Sequence, residues 1–393
     1  MLITPTKEFD GWDSPLGADL RRGGIGGEWI LAFSLSKLFT SSLSGLFRRE
    51  GHYVSLDIGS STLKFLEVES TVQQLTIRSF GSAPVPPSAV QNNMIVEPDA
   101  VAGIIKGLLK NAGVTATDAI TAVPGPAVII KKLQLPSQAP TELENSVLFE
   151  AGNFIPESLE NVNLDYMITD VLEKERQFEV LLVAVKRDII NSYTSTVQLA
   201  GLEPVVVDVD YFALENMYEM NYPPSEQEVV ALVNIGARYS CMNILRGGRS
   251  TFTGDVHVGG KEFNDALVRN LGVTPAEAEA IKLGSHPQHP LDQIEPVLQP
   301  VKEFLAEEIH RALSFFWTAA TDEQISMIVL AGGASRVPGL MQLLSERLEV
   351  PVHLVNPLSN VTLASGVDRA RFERDAASYA IAVGLGMRRP GDK

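Results

Sequence analysis

Val-Ser-Leu-Asp-Ile-Gly-Ser-Ser-Thr-Leu-Lys, residues 54–64, has a near twin in Leu-Val-Asn-Ile-Gly-Ala-Arg-Tyr-Ser-Cys-Met, residues 232–242. In each, an apolar β-rich run reaches an acid or an amide, crosses Ile-Gly, and continues into a second β-rich run, Phe65-Leu66-Glu67-Val68 or Asn243-Ile244-Leu245. The pattern reads as two β-hairpins with polar, glycine-bearing turns. Gly59 and Gly236 free the backbone to take φ > 0 or to approach an anion closely. Neighbouring N–H and hydroxyl groups can then point at phosphate oxygens. Two such turns, each opening an α/β half, place a pair of phosphate-facing hairpins across a central cleft.

The 393-residue chain is 45% hydrophobic and 20% charged, which suits a multi-core α/β protein. No apolar stretch approaches the roughly 20 residues of a bilayer-spanning helix. A formal net charge of −16 argues against broad nucleic-acid binding, which needs clustered Lys and Arg to neutralise phosphates. Cys241, the single cysteine, falls inside an expected strand and reads as a small buried hydrophobe; one thiol builds neither a disulfide framework nor a zinc site, as fits a reducing cytosol.

Residues 1–50 differ from the rest: they are rich in Gly and Ser and carry the apolar segment Trp29-Ile30-Leu31-Ala32-Phe33-Ser34-Leu35. Arg21-Arg22 before that segment does not make a secretory signal, because no small-residue cleavage site follows and Lys37 interrupts the apolar run. Leu31, Leu35, Leu38, Phe39, Leu43, Leu46 and Phe47 fall near helical spacing with Lys37, Arg48 and Arg49 among them. Three readings stay open for this leader: a flexible segment, a helix packed on protein, or a short amphipathic helix in peripheral contact with a membrane.

Residues 51–131, together with 206–228 and 370–393, are expected to build one half, 132–205 an inserted α+β unit, and 229–369 the second half. A helix is expected at about 98–112, opened by Pro98 and Asp99 and closed by Gly113. Asp118–Val123 reads as a buried strand ending in the turn Pro124-Gly125-Pro126. The insertion is expected to leave the first half near Pro136 and to rejoin it at Asp208, with Asp210 capping a helix from Tyr211. In the second half, Ile325–Leu330 reads as a buried strand that runs into Ala331-Gly332-Gly333-Ala334-Ser335-Arg336, where paired glycines let a flat base lie against the backbone. The small residues of 376–386 read as a helix that allows close backbone packing between the halves.

In this order the five elements resemble the phosphate 1, connect 1, phosphate 2, adenosine and connect 2 motifs of the actin-like ATPase superfamily. The insertion is similar to the extra subdomain of the branch holding the cell-division protein FtsA and the type IV pilus assembly protein PilM. Leu-Asp-Ile-Gly-Ser-Ser-Thr-Leu-Lys (56–64), Val-Asp-Val-Asp-Tyr-Phe-Ala-Leu-Glu-Asn (207–216), Val-Asn-Ile-Gly-Ala (233–237) and Ala-Glu-Ala-Ile-Lys (278–282) favour the PilM family. The resemblance covers about 53–388 and leaves the leader aside. It implies an α/β actin-like ATPase fold of two related halves around a nucleotide cleft, with ATP and Mg²⁺ as ligands.

Carried over by that resemblance, Asp57, Gly59, Ser60, Ser61 and Lys64 fall in the first phosphate loop, with Asp57 orienting Mg²⁺ through water. Lys64 adds a point charge if it turns inward and is otherwise a solvated strand residue. Asn234, Gly236 and Ala237 fall in the second loop. Glu279 and Lys282, three apart on one helical face, match positions that meet ribose and base, or form a surface ion pair. Gly332, Gly333, Ser335 and Arg336 flank the adenosine. Many superfamily ATPases carry an acid where Asn234 stands, and an amide supplies no carboxylate. Between Asp118 and Glu142 there is no Asp, Glu or His, so the chain offers no evident general base, and hydrolysis is expected to be slow or absent.

The resemblance implies an ATP-binding cytoplasmic scaffold of the type IV pilus inner-membrane platform. Its implied partners are the cytoplasmic N-terminal segment of a PilN-like membrane protein, bound between the first subdomain and the insertion, and other platform or motor proteins. An active ATPase or sugar kinase is the first alternative, and would need a carboxylate in the cleft; the near acids Asp208 and Asp210 read as helix caps. An FtsA-like membrane-tethering filament protein is the second, weakened because the chain ends in Met387-Arg-Arg-Pro-Gly-Asp-Lys with no apolar face.

Overall fold

The computed structural model describes residues 51–71, 74–223, 225, 227–285, 288–320 and 323–391, so the leader readings lie outside the described residues. Strands β1 (Gly51–Ile58) and β2 (Thr62–Ser70) form the first hairpin, and β3 (Leu75–Pro84) extends it antiparallel. Asp57 stands opposite Lys64, and Ile58 opposite Leu63, at the turn end. The chain makes a small hairpin, β4 (Val90–Gln91) and β5 (Met94–Ile95), before helix α1 (Pro98–Ala112). Pro98 in the first turn and Gly113, left-handed at φ 66, bound that helix as its sequence pattern requires. Val101, Ala102 and Ile105 make its buried face. Strand β6 (Asp118–Val123) then pairs parallel with β1.

From here the chain leaves this sheet and builds another: β7 (Val128–Pro136), helix α2 (Pro140–Phe154), β8 (Val162–Leu172) and β9 (Gln177–Lys186). These strands form an antiparallel sheet in the order β7-β9-β8, with Leu143, Val147 and Ala151 of α2 buried against it in a core of its own. Helix α3 (Arg187–Leu199) follows β9 without a loop and packs into the core of the first half, and β10 (Glu203–Val209) pairs parallel with β6. The inserted sheet therefore runs from Val128 to Lys186, whereas 132–205 was read from the sequence. Periodicity cannot separate an edge strand of one sheet from a helix and a strand that return to another.

Helix α4 (Asp210–Asn221) carries the chain into the second half. There β11 (Val229–Ile235), β12 (Ser240–Arg246) and β13 (Arg249–Val256) form an antiparallel meander. Helices α5 (Gly260–Leu271), α6 (Pro275–Lys282) and α7 (Leu291–Ala319) lead to β14 (Met327–Ala331), parallel to β11. Helix α8 (Leu340–Leu348) and β15 (Val352–Leu354), parallel to β14, complete the sheet. Its order β13-β12-β11-β14-β15 repeats β3-β2-β1-β6-β10 of the first sheet strand for strand. Strand β16 (Val361–Leu363) lies within the span assigned to the second half, yet it pairs with β3 of the first sheet.

Helix α9 (Arg369–Asp375), a 3-10 turn at Ala376–Tyr379 and helix α10 (Ala380–Leu385) end the described chain. The α10 helix lies on α4 so closely that a Cβ on Gly384 would sit 1.7 Å from the Ala213 carbonyl oxygen. Small residues at 376–386 thus serve backbone contact, as their pattern suggests. Helix propensity alone makes Gly384→Ala stabilising by about 1 kcal/mol. Overpacking reverses the sign here, so the variant should lose at least ~1–3 kcal/mol in denaturant unfolding. An unchanged or raised unfolding midpoint would contradict the close helix contact.

Candidate functional site

The two hairpin turns share one local geometry. A Cβ on Gly59 would lie 2.8 Å from the Thr62 carbonyl oxygen, and one on Gly236 would lie 2.7 Å from that of Tyr239, the same three-residue offset. Neither glycine has positive φ. Glycine is required at both because the turn folds back on its own backbone. In the second turn the Gly236 N–H donates to Tyr239 O at 3.1 Å, so that donor closes the turn instead of facing an anion. The carbonyls of Gly236 and Ala237 accept the Gly260 and Lys261 N–H groups, both at 2.8 Å, which seats this turn on the first residues of α5.

Asp57 and Lys64, cross-strand partners, meet at 2.8 Å between Nζ and Oδ2, with side chains 14% and 15% exposed. Lys64 is therefore turned inward. Asn234 is buried opposite Cys241. Its Oδ1 lies 2.8 Å from where a Cβ on Gly332 would stand. A carboxylate at this position would be buried against the adenosine-type turn, and the amide avoids that cost.

Gly332 has φ 91, and a Cβ there would come within 2.4 Å of Ile235 O, so only glycine fits. Its N–H donates to Ala377 O at 2.8 Å, tying this turn to the segment before α10. Gly333 faces open space, with nothing within 4 Å of a built Cβ. Ser335 Oγ is turned back onto Gly332 O at 2.7 Å. Arg336 neither stacks nor stands free: its Nη1 pairs with Asp375 Oδ1 at 2.6 Å. Glu279 and Lys282 do pair, at 2.6 Å, but the lysine is buried beneath α5, 3.5 Å from Gly260 O, and Asn264 Nδ2 donates to Glu279 at 2.7 Å.

A cavity of about 290 Å³ joins three of the expected motifs: Gly59 and Ser60 from the first turn, Pro124 and Pro126 from the strand-end turn, and Arg238 and Tyr239 from the second. His257 after β13, Asn92 and Asn93 from the β4–β5 turn, and Tyr193 of α3 also line it. The adenosine-type residues do not line this cavity. Arg336, Ala376 and Ala377 border a second one of about 410 Å³, whose other walls come from 354–358 and 369–374.

The acids near the cleft are placed otherwise than their sequence reading. Asp208 is fully buried and pairs with Arg388 Nε at 2.6 Å. Asp210 is the first residue of α4 and caps nothing: its carboxylate accepts the Gly125 N–H at 2.8 Å and the Tyr239 hydroxyl at 3.0 Å. Burial pushes its carboxyl up to about 7, against the lowering effect of those two donors. Asp255, which accepts the Tyr211 hydroxyl, is also pushed up by burial. Asp210, Tyr239, Arg238 and His257 were missed as site residues. Val-Asp-Val-Asp at 207–210 held a signal, since acids alternating with valines at the end of an apolar strand share one face and call for buried partners.

Among the described residues no three His, Cys, Asp or Glu side chains gather to hold a metal. A single carboxylate at the end of β1, beside the cavity-lining Gly59 and Ser60, fits Mg²⁺ carried by water and ligand phosphates, and Asp57 would serve it by exchanging its Lys64 partner. The paired turns, the cavity between them and the open face of Gly333 fit a phosphorylated ligand with a flat base.

Residues 55–390 match the family of type IV pilus assembly protein PilM. The chain belongs to that family. It has a role in type IV pilus assembly and an actin-like ATPase fold. A solved chain of a PilM–PilN type IV pilus biogenesis complex is 28% identical, with a TM-score of 0.77 over 86% of this chain and 99% of that one. The ethanolamine utilization protein EutJ of Carboxydothermus hydrogenoformans shares the fold at 16% identity and a TM-score of 0.53, covering 91% of this chain and 98% of that one. The cell division protein FtsA of Streptococcus pneumoniae is 24% identical over 355 residues, 79% of this chain and 76% of that protein. No helix among the described residues is long and apolar enough to cross a membrane.

Asp210 gives the site a pH signature. Its folded value of about 7 exceeds the ordinary 3.8, so between these limits the folded state binds more protons than the unfolded one. Its contribution to stability is fully present below about 4 and is lost as pH rises through 7. Glu215, pushed to about 7 by burial, acts in the same direction, so the comparison must be with a variant. Asp210→Asn keeps an acceptor for Gly125 and removes the titration. Urea unfolding from pH 4 to 8 should show the variant gaining on the native chain as pH rises, by at most ~1.4 kcal/mol per pH unit. Parallel profiles would mean that Asp210 does not titrate in this window.

Proposed function

We propose that the chain is an ATP-binding cytoplasmic scaffold of the type IV pilus inner-membrane platform, holding the cytoplasmic N-terminal segment of a PilN-like membrane protein with nucleotide as a conformational switch. The likeness to the PilM chain of the PilM–PilN complex, complete over 99% of that chain, carries the partner reading. The nucleotide reading is supported by the shared geometry of the Gly59 and Gly236 turns on one cavity.

In this reading Asp57 orients Mg²⁺, Ser60 and Ser61 hold terminal phosphate oxygens, and Gly332 and Gly333 give the base a flat floor. Bound ATP supplies the charge that draws the two halves together. Hydrolysis is slow, because Asn234 offers no carboxylate and the Asp210 carboxylate is spent on Gly125 and Tyr239. The partner segment lies between the first half and the insertion. The insertion supports this with exposed apolar side chains, Phe149 at 74% on α2 and Ile168 and Val171 on β8.

Asp57→Ala should weaken Mg·ATP binding in calorimetry by roughly 1–3 kcal/mol, the loss expected of a charged hydrogen-bonding group. Equal affinity in the variant would remove Asp57 from the site. A synthetic peptide copying the N-terminal cytoplasmic segment of the neighbouring PilN-like protein should bind one to one, with the negative heat-capacity change of apolar burial. Its footprint in hydrogen exchange should fall within 128–186 and the adjoining first half. Absence of binding, or protection confined to the second half, would refute this placement.

A further inference from the structure

Arg238 stands two residues past Gly236, inside the second turn, and lines the same cavity as Gly59 and Ser60. Its guanidinium reaches out of its own half. Nη1 donates to the carbonyl of Val90, the first residue of β4, and Nη2 donates at 2.8 Å to that of Pro87, just before the β4–β5 hairpin of the first half. Both acceptors are neutral. The residues on the cavity wall include no carboxylate, and Arg238 is its one permanently charged group.

Resting on the nucleotide reading above, we propose that Arg238 is the residue that distinguishes a triphosphate from a diphosphate at this site. It exchanges its two carbonyl partners in the first half for the terminal phosphate. A guanidinium bonded to an anion makes hydrogen bonds roughly twice as strong as those to neutral carbonyls, and its planar fork suits phosphate oxygens. A diphosphate bound by the same turns lacks the group that competes, and leaves Arg238 on Val90 and Pro87.

The exchange has a readable mechanical end. The β4–β5 hairpin turns through Asn92 and Asn93, both left-handed at φ 48 and 65. On its far side the Ile95 N–H donates to Ser192 Oγ on α3 at 3.3 Å. Helix α3 continues from β9, the central strand of the inserted sheet. Arg238 thus sits at one end of a short path, turn to hairpin to α3, that leads to the unit proposed to hold the partner. The two-state element is the pairing of Arg238 itself, carbonyl or phosphate, and a ligand biases it only by preferring one arrangement.

The test compares the full chain with Arg238→Ala and Arg238→Lys, each checked for folding by circular dichroism. Titration calorimetry uses Mg·ADP and the non-hydrolysable Mg·AMPPNP, and hydrogen exchange follows peptides covering 86–97. The native chain should prefer AMPPNP over ADP, and AMPPNP alone should speed exchange in 86–97. Arg238→Ala should lose roughly 10-fold or more of that preference and exchange fast at 86–97 in every state. The lysine variant, with charge but no fork, should fall between the two. A retained preference in Arg238→Ala, or exchange at 86–97 indifferent to both the substitution and AMPPNP, overturns the role of Arg238 while leaving nucleotide binding intact. A native chain that binds neither nucleotide overturns it together with the nucleotide reading.

Discussion

Helices α4 and α10, beside the junction of the two halves, touch backbone to backbone at Gly384. Gly384 sets that distance, because its missing Cβ is what lets the Ala213 carbonyl come so close. The α4 helix is buried along most of its length, from Tyr211 through Tyr218, so it acts as an axle seated in the first half's core and in the cluster between the two sheets. A second glycine pins the first half onto the same axle: a Cβ on Gly125 would stand 2.3 Å from the Tyr211 ring. Packed interiors transmit displacement because they have few voids to absorb it. A rotation of one half therefore turns α4 and moves the Pro124-Gly125-Pro126 turn with it.

Charge is handled in two ways at this junction. Asp208 is removed from water and given a cation, Arg388 from the segment after α10, so strand β10 and the end of the chain are held by an ion pair. Asp210, two residues on, has dipoles only, one N–H from the first half and one hydroxyl from the second. Two donors do not offset full desolvation of a carboxylate, which is why its proton is held to about 7. The arrangement makes Asp210 a bridge whose strength depends on its protonation, since an ionised carboxylate accepts more strongly from Gly125 and Tyr239 but costs more to bury.

The duplicated hairpins were legible because a turn that folds onto its own backbone admits only glycine, and the flanking β-rich runs announce the strands. Helix α1 was legible for the same kind of reason, with Pro98 and Gly113 as punctuation. The insertion was legible as a unit but not in its limits, since β10 and α3 have the composition of the strands and helices before them and only sheet pairing assigns them. At the site, Gly59 and Gly332 stand where only glycine fits. Asp210 was misread because an acid before Tyr-Phe-Ala-Leu has the pattern of a cap, and its true partners lie far along the chain in Gly125 and Tyr239. Arg238 gave no signal, because a charged turn residue reads as solvated until a backbone from the other half is seen to receive it.

The attachment of the insertion decides which motions can reach it. Its chain enters at Val128 and leaves beside it, with Val128 paired to Val185, so two adjacent strands form its neck. A two-stranded neck bends easily out of its plane but resists shear along the strands, where every ladder hydrogen bond would have to break. On the entering side, β7 follows the short 3-10 turn at Gly125–Ala127, whose Gly125 is held by Asp210. On the leaving side, β9 passes directly into α3, which carries the Ser192 contact to the β4–β5 hairpin. Both roots of the neck therefore end on groups tied to the second turn, Tyr239 through Asp210 on one and Arg238 through the hairpin on the other. A change confined to one root would twist the neck. A change at both would tilt the inserted sheet as a body, and the Tyr239–Arg238 pair, adjacent in one turn, is placed to act on both together.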